Sequence, residues 1–148
     1  MRTVGNILWL LLAGIWLAIA YVVAGIVMCI LIVTIPFGLQ AFKLANYTLW
    51  PFGRTVVDRP DASLPLGCLG NAIWLILAGI ELALTHVVAG VMLCLTIIGI
   101  PLGIACFKLI PLALLPFGKE IVPIDQVPEG VVPVYHPPPP LGGGAPRY

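Results

Sequence analysis

Residues 6–57 are written a second time as residues 71–122. The first copy reads NILWLLLAGIWLAIAYVVAGIVMCILIVTIPFGLQAFKLANYTLWPFGRTVV and the second NAIWLILAGIELALTHVVAGVMLCLTIIGIPLGIACFKLIPLALLPFGKEIV. The offset is 65 throughout, without a gap, and 26 of the 52 aligned positions are identical. Chance does not produce this, so the chain is a tandem duplication. Its fold must be one that a single unit adopts twice. The organisation reads as a first unit at 1–57, a polar linker at 58–70, a second unit at 71–122 and a Pro/Gly-rich tail at 123–148. The tail carries four consecutive prolines from Pro137 and three glycines from Gly142. Such a stretch builds neither core nor helix, and it reads as disordered.

Each unit opens on a long apolar run. In the first it extends from Ile7 to Ile35 without a charge. A secretory signal has an apolar region of about 7–15 residues. This run is twice that, so it reads as a retained membrane segment. The whole chain agrees: 61% of residues are hydrophobic and 9% are charged, against about 45–50% and about 25% in soluble domains. Thirteen charged side chains cannot cover a water-facing globule of 148 residues. That excludes a soluble enzyme, a nucleic-acid binder and a disulfide-stapled secreted domain. The four cysteines have no metal-type spacing and read as small packing residues.

The expected fold is an all-α integral membrane protein built from two tandem broken helical hairpins, with about four membrane segments. The break in each copy is assigned to Pro36 with Gly38 and to Pro101 with Gly103, because proline followed by glycine ends or kinks an apolar helix. Two topologies compete. In the favoured one each copy crosses twice, the copies are parallel, and Arg2, Arg54, Arg59, Lys119 and the tail share one face. The positive-inside rule makes that face cytoplasmic. In the other, the helix after the proline lies in the interface, each copy crosses once, and the copies are inverted. The stripe Gln40, Lys43 and Tyr47 favours this second arrangement.

Small residues recur on one face of each long helix: Gly14, Ala18 and Gly25 in copy one, Gly79, Ala83 and Gly90 in copy two. Such stripes let helices approach closely and predict a packing seam. The ionisable residues inside the apolar runs are Lys43, Glu81, His86 and Lys108, the candidates for a buried functional role. Glu81 and His86 stand where copy one has Trp16 and Tyr21. Five residues apart on one helix, they point about 140° away from each other. One straight helix therefore cannot make them a pair.

No catalytic motif is present, and no catalytic residue, metal ligand or cofactor is expected. The expected partners are the lipid bilayer and either further copies of the chain or other membrane proteins, with no nucleic acid. The expected role is a self-associating structural or accessory membrane component. The alternative is a subunit of a small oligomeric channel or transporter for an ion or small solute.

Several segments together resemble the bacterial YccF family, whose repeat unit is called the inner membrane component domain. They are Asn-x-x-Trp-Leu at the start of each unit in outline, Leu82 to His86, Ile97 to Gly103, Phe107-Lys108-Leu109 and Pro116-Phe117-Gly118-Lys119. The resemblance covers nearly all of residues 1–122 and excludes the tail. It implies a bacterial inner-membrane protein with two copies of the domain; the favoured topology, read from the charges, puts both termini in the cytoplasm. It brings no activity, substrate or catalytic residue. His86 matches the family pattern, whereas an aromatic residue is common at the position of Glu81.

Overall fold

The computed structural model describes residues 2–59, 65–97, 99–128, 131, 133 and 134. In copy one, α1 (Arg2–Trp9), a π-helical turn (Leu10–Gly14) and α2 (Ile15–Ile30) follow one another. Together they form a continuous apolar helix of 29 residues. A 3-10 turn (Ile32–Thr34), α3 (Ile35–Leu49) and β1 (Arg54–Asp58) complete the unit. Copy two repeats the plan with α4 (Pro65–Trp74), a π turn (Leu75–Gly79), α5 (Ile80–Cys94), α6 (Ile100–Leu114) and β2 (Lys119–Pro123). The rise of about 1.5 Å per residue makes each long helix about 42 Å, enough to cross a bilayer.

The helix break falls slightly before the expected proline. Leu31 leaves helical geometry, with φ −84° and ψ 89°, and Pro36 stands in the first turn of α3. An N–H there would have no helical partner, so proline costs nothing. The Thr34 hydroxyl lies 2.6 Å from the Met28 carbonyl and 2.8 Å from that of Leu31, covering acceptors that the end of α2 leaves open.

From this tip α3 returns along α2. The return is close because glycine faces glycine. A Cβ placed on Gly38 would lie 2.8 Å from the Gly25 carbonyl oxygen and would press on the Cys29 sulfur. One on Gly25 would lie 2.9 Å from the Phe42 ring. Copy two has the same contacts, with Gly103 on Gly90 and Cys94, and Gly90 on Phe107. The small-residue stripe thus seats the return helix within each copy. Gly14 and Gly79 serve a neighbouring purpose, since the rings of Trp9 and Trp74 lie over them.

At the opposite end, the base, side chains tie the return strand down. Asn6 donates from Nδ2 to the Phe52 carbonyl at 2.8 Å and accepts from the Phe52 N–H at 3.0 Å. Asn71 holds Phe117 in the same way at 3.1 and 2.9 Å. Trp9 donates its indole N–H to the Thr48 carbonyl and Trp74 to that of Ala113. Both indoles are fully buried. Trp9→Phe and Trp74→Phe each leave a carbonyl without its donor. Thermal unfolding in detergent should report a loss of about 1–3 kcal/mol for each, whereas Trp16→Phe on the exposed surface should leave it unchanged.

After the base, Gly53 and Gly118 take positive φ values of 109° and 83°, a region open to glycine. They turn the chain into β1 and β2, which pair antiparallel. The register is symmetric: Val56 faces Ile121, its own counterpart 65 residues on, while Arg54↔Pro123 and Asp58↔Lys119 are images of each other. A pseudo-twofold axis therefore passes through the Val56–Ile121 pair. Deeper in the molecule Tyr21 meets His86, again counterparts, with ring centroids 5.7 Å apart. The same axis passes there.

The structure adds to the sequence reading at the ribbon and around it. The chain is mostly helical but carries this two-stranded ribbon. The strands run across both expected unit boundaries, and α4 begins inside the expected linker; residues 60–64 lie outside the described residues. The tail does not begin as a free end at 123. Ile124 to Gln126 form a 3-10 turn, the Ile124 N–H reaches the Gly53 carbonyl, and the Val134 N–H reaches that of Val56. The proline run from 137 onward lies outside the described residues. The copies also depart from a simple parallel arrangement. Phe37, in the first turn of α3, stacks edge-on against Phe117 at the base of copy two, 5.3 Å away. Gln40 and Lys43 follow along the same strand segment. Beneath the ribbon α3 and α6 therefore run in opposite senses, as an antiparallel ribbon with one strand laid on each requires.

Candidate functional site

The two lysines point to the ribbon. Lys43 is half-buried and donates from Nζ to the Lys119 carbonyl at 2.9 Å, and Gln40 donates to the Pro116 carbonyl at 2.8 Å. Tyr47 is buried in the core. Gln40 and Lys43 thus lie on the surface of α3 that receives copy two, which accounts for their polarity without an interfacial helix. Lys108 is exposed and borders a small cavity, about 100 Å³, with Val56 and Lys119. Other charges gather on the ribbon, where Arg59 pairs with Glu120 and Lys119 with Asp58.

His86 is buried, 1% exposed. Its Nδ1 lies 2.9 Å from the Leu82 carbonyl. A carbonyl only accepts, so Nδ1 carries the proton. In the neutral ring Nε2 is then a bare acceptor, and it has no partner among the described residues. The ring packs edge-on against Tyr21 at 71°.

Glu81 is on the other side of the same helix, exposed. It borders a groove between α2 and α5 of about 430 Å³, with Leu12, Trp16, Leu84, Thr85 and Val88. The Thr85 hydroxyl donates to the Glu81 backbone carbonyl at 2.9 Å, so it is not engaged with the carboxylate. No ion pair or hydrogen bond joins the carboxylate to a described residue.

Glu81 and His86 do not meet, as their spacing requires. What the sequence does not show is that His86 meets the residue it replaced: Tyr21 stands against it on the pseudo-twofold axis. Trp16 lines the same groove as Glu81. The signal was present in the alignment of the copies, but the axis itself required the ribbon. No group of three or more His, Cys, Asp or Glu side chains suited to a metal occurs among the described residues.

The sequence profile of the inner membrane component domain, YccF, matches twice, at residues 4–54 and 69–119. The Inner membrane protein YccF of Escherichia coli (strain K12) is 35% identical over 133 residues, covering 84% of this chain and 90% of that protein. The protein of the same name from Shigella flexneri matches to the same extent. No solved structure matches the chain. With both copies matched and a curated relative aligned over most of its length, the chain belongs to the YccF family.

Proposed function

We propose that this protein is a bacterial inner-membrane component that works by associating with itself or with other membrane proteins. Each copy is embedded as a helical hairpin, with the exposed apolar faces of the long helices in the hydrocarbon and the charged ribbon, together with both termini, at the cytoplasmic surface. One observation carries the reading, the division of the surface. Apolar side chains stand exposed along the full length of α1–α2 and α4–α5. They continue over the tips, where Ile32 is 79%, Val33 90% and Ile97 87% exposed. Water does not tolerate such a surface and hydrocarbon does. Apart from Glu81, the charged side chains among the described residues lie at the ribbon end, with an excess of Lys and Arg that marks the cytoplasmic side. The names of the bacterial relatives support the membrane assignment.

The test has two parts. Reporters fused within residues 61–64 and at the C-terminus should report the cytoplasm together; opposite sides would refute the topology. Cysteines at Ile32 and at Ile97, at the two tips, should respond alike to a membrane-impermeant thiol reagent added from either side of the membrane. Opposite responses would mean that the two hairpins cross the bilayer in opposite directions. For self-association, the native mass of the purified chain in mild detergent should correspond to more than one copy. A monomer that also captures no membrane protein on cross-linking in cells would end the accessory reading.

A further inference from the structure

We infer that the groove between α2 and α5 is a binding site for a small lipophilic cation, such as an organic ammonium or phosphonium ion, held by the Glu81 carboxylate and the Trp16 indole. The groove opens on the apolar side of the molecule and its remaining walls are mostly aliphatic. Its volume, about 430 Å³, falls in the range of about 300–1,000 Å³ usual for small-molecule sites. A carboxylate on such a surface has neither water nor an internal partner, and Thr85 is occupied with the backbone. Left alone such a carboxyl holds its proton; an occupant that bears positive charge is the one that stabilises it as the carboxylate. The Trp16 indole lines the same groove and attracts a cation through its face, and leucine and valine suit hydrophobic substituents.

The charge pattern argues against two other occupants. The remaining cationic side chains among the described residues sit at the ribbon end. A second copy in the same membrane orientation would bring to this level apolar groups, an indole and another carboxylate. Lipid amine headgroups stay at the membrane surface, whereas Glu81 stands near the middle of its helix among exposed apolar side chains, Ile80 and Leu84. A small cation that itself partitions into hydrocarbon meets both conditions. The inference goes beyond the proposed assembly role and does not require it.

The test is equilibrium binding of tetraphenylphosphonium to the full-length purified chain in detergent micelles, with tetraphenylborate, an anion of the same shape, as control. Saturable binding at one per chain is expected for the cation and none for the anion. Glu81→Gln should weaken it about tenfold or more, Trp16→Leu severalfold, and Glu81→Asp should retain it. Equal binding by Glu81→Gln, saturable binding of the anion, or no saturable binding of the cation would overturn the inference. If Glu81→Gln fails to fold, Trp16→Leu and the anion decide alone. Quantitative disulfide cross-linking between copies through a cysteine at Leu84 would show the groove covered by a second copy, which also overturns it. Native mass measured on the same samples keeps failure here separate from failure of the assembly reading.

Discussion

Gly38→Val and Gly103→Val should each open a hairpin, with a loss of about 3 kcal/mol or more, the upper end of what overpacking costs. Thermal unfolding followed by circular dichroism in detergent would measure it. The competing effect is helix propensity, which by itself favours replacing a helical glycine by alanine by about 1 kcal/mol. The contact decides. At Gly38 a new Cβ meets the Gly25 carbonyl oxygen at 2.8 Å, and at Gly103 it meets that of Gly90 at 2.7 Å. These are backbone atoms of a packed helix and cannot rotate aside. Gly5 supplies the opposite sign. A Cβ there touches nothing nearer than the Phe52 ring at 3.7 Å. Gly5→Ala should therefore be neutral or raise stability by up to about 1 kcal/mol. If Gly38→Val unfolds like the parent, the close return of α3 along α2 is wrong.

The second large effect is expected at Asn6 and Asn71. Each amide completes both hydrogen bonds of a Phe backbone at the base, as a neighbouring β-strand would. Truncation to alanine leaves an N–H and a C=O unpaired in the interior, which costs about 1–3 kcal/mol for each group. Asn6→Ala should thus lose roughly 2–5 kcal/mol, and Asn71→Ala somewhat less. Asn6 is fully buried and its donor bond is 2.8 Å, while Asn71 is half-buried with a donor bond of 3.1 Å. The loss should be local at first. Amide exchange in Arg54–Asp58 should accelerate more than in α2, because the clamp fixes the turn that launches the strand. Uniform acceleration in both would contradict this.

How far the sequence foretold the structure depends on the range over which each interaction acts. The long helices, the break near Pro36 and Pro101, and the glycine stripe are local in cause, and the repeat doubled their signal. The ribbon was not legible. Arg54-Thr55-Val56-Val57 is rich in β-branched residues, but a five-residue strand needs a partner, and its partner lies 65 residues away. The same distance hid the use of Lys43 and Gln40, which looked like an interfacial stripe until β2 was laid beside them. Glu81 and His86 were identifiable because the copies disagree there, and Lys43 and Lys108 because they are charges inside otherwise apolar runs. Their neighbours across the axis were not, since helical spacing describes one helix and not the approach of two.

The symmetric register of the ribbon bears on why both copies sit in one chain. A single copy could build the same ribbon as a homodimer, with β1 paired to itself about Val56. In that assembly every residue on the axis would face an identical residue, as phenol opposite phenol at Tyr21. A mutation to glutamate would place two carboxylates together, and each change would be made twice. Fusion removes that constraint. Once the halves are encoded separately, an imidazole can stand opposite a phenol, and one copy can carry an acid where the other keeps an indole. The covalent link thus makes the central axis the one place where a symmetric scaffold can acquire an unsymmetric site at the cost of a single substitution.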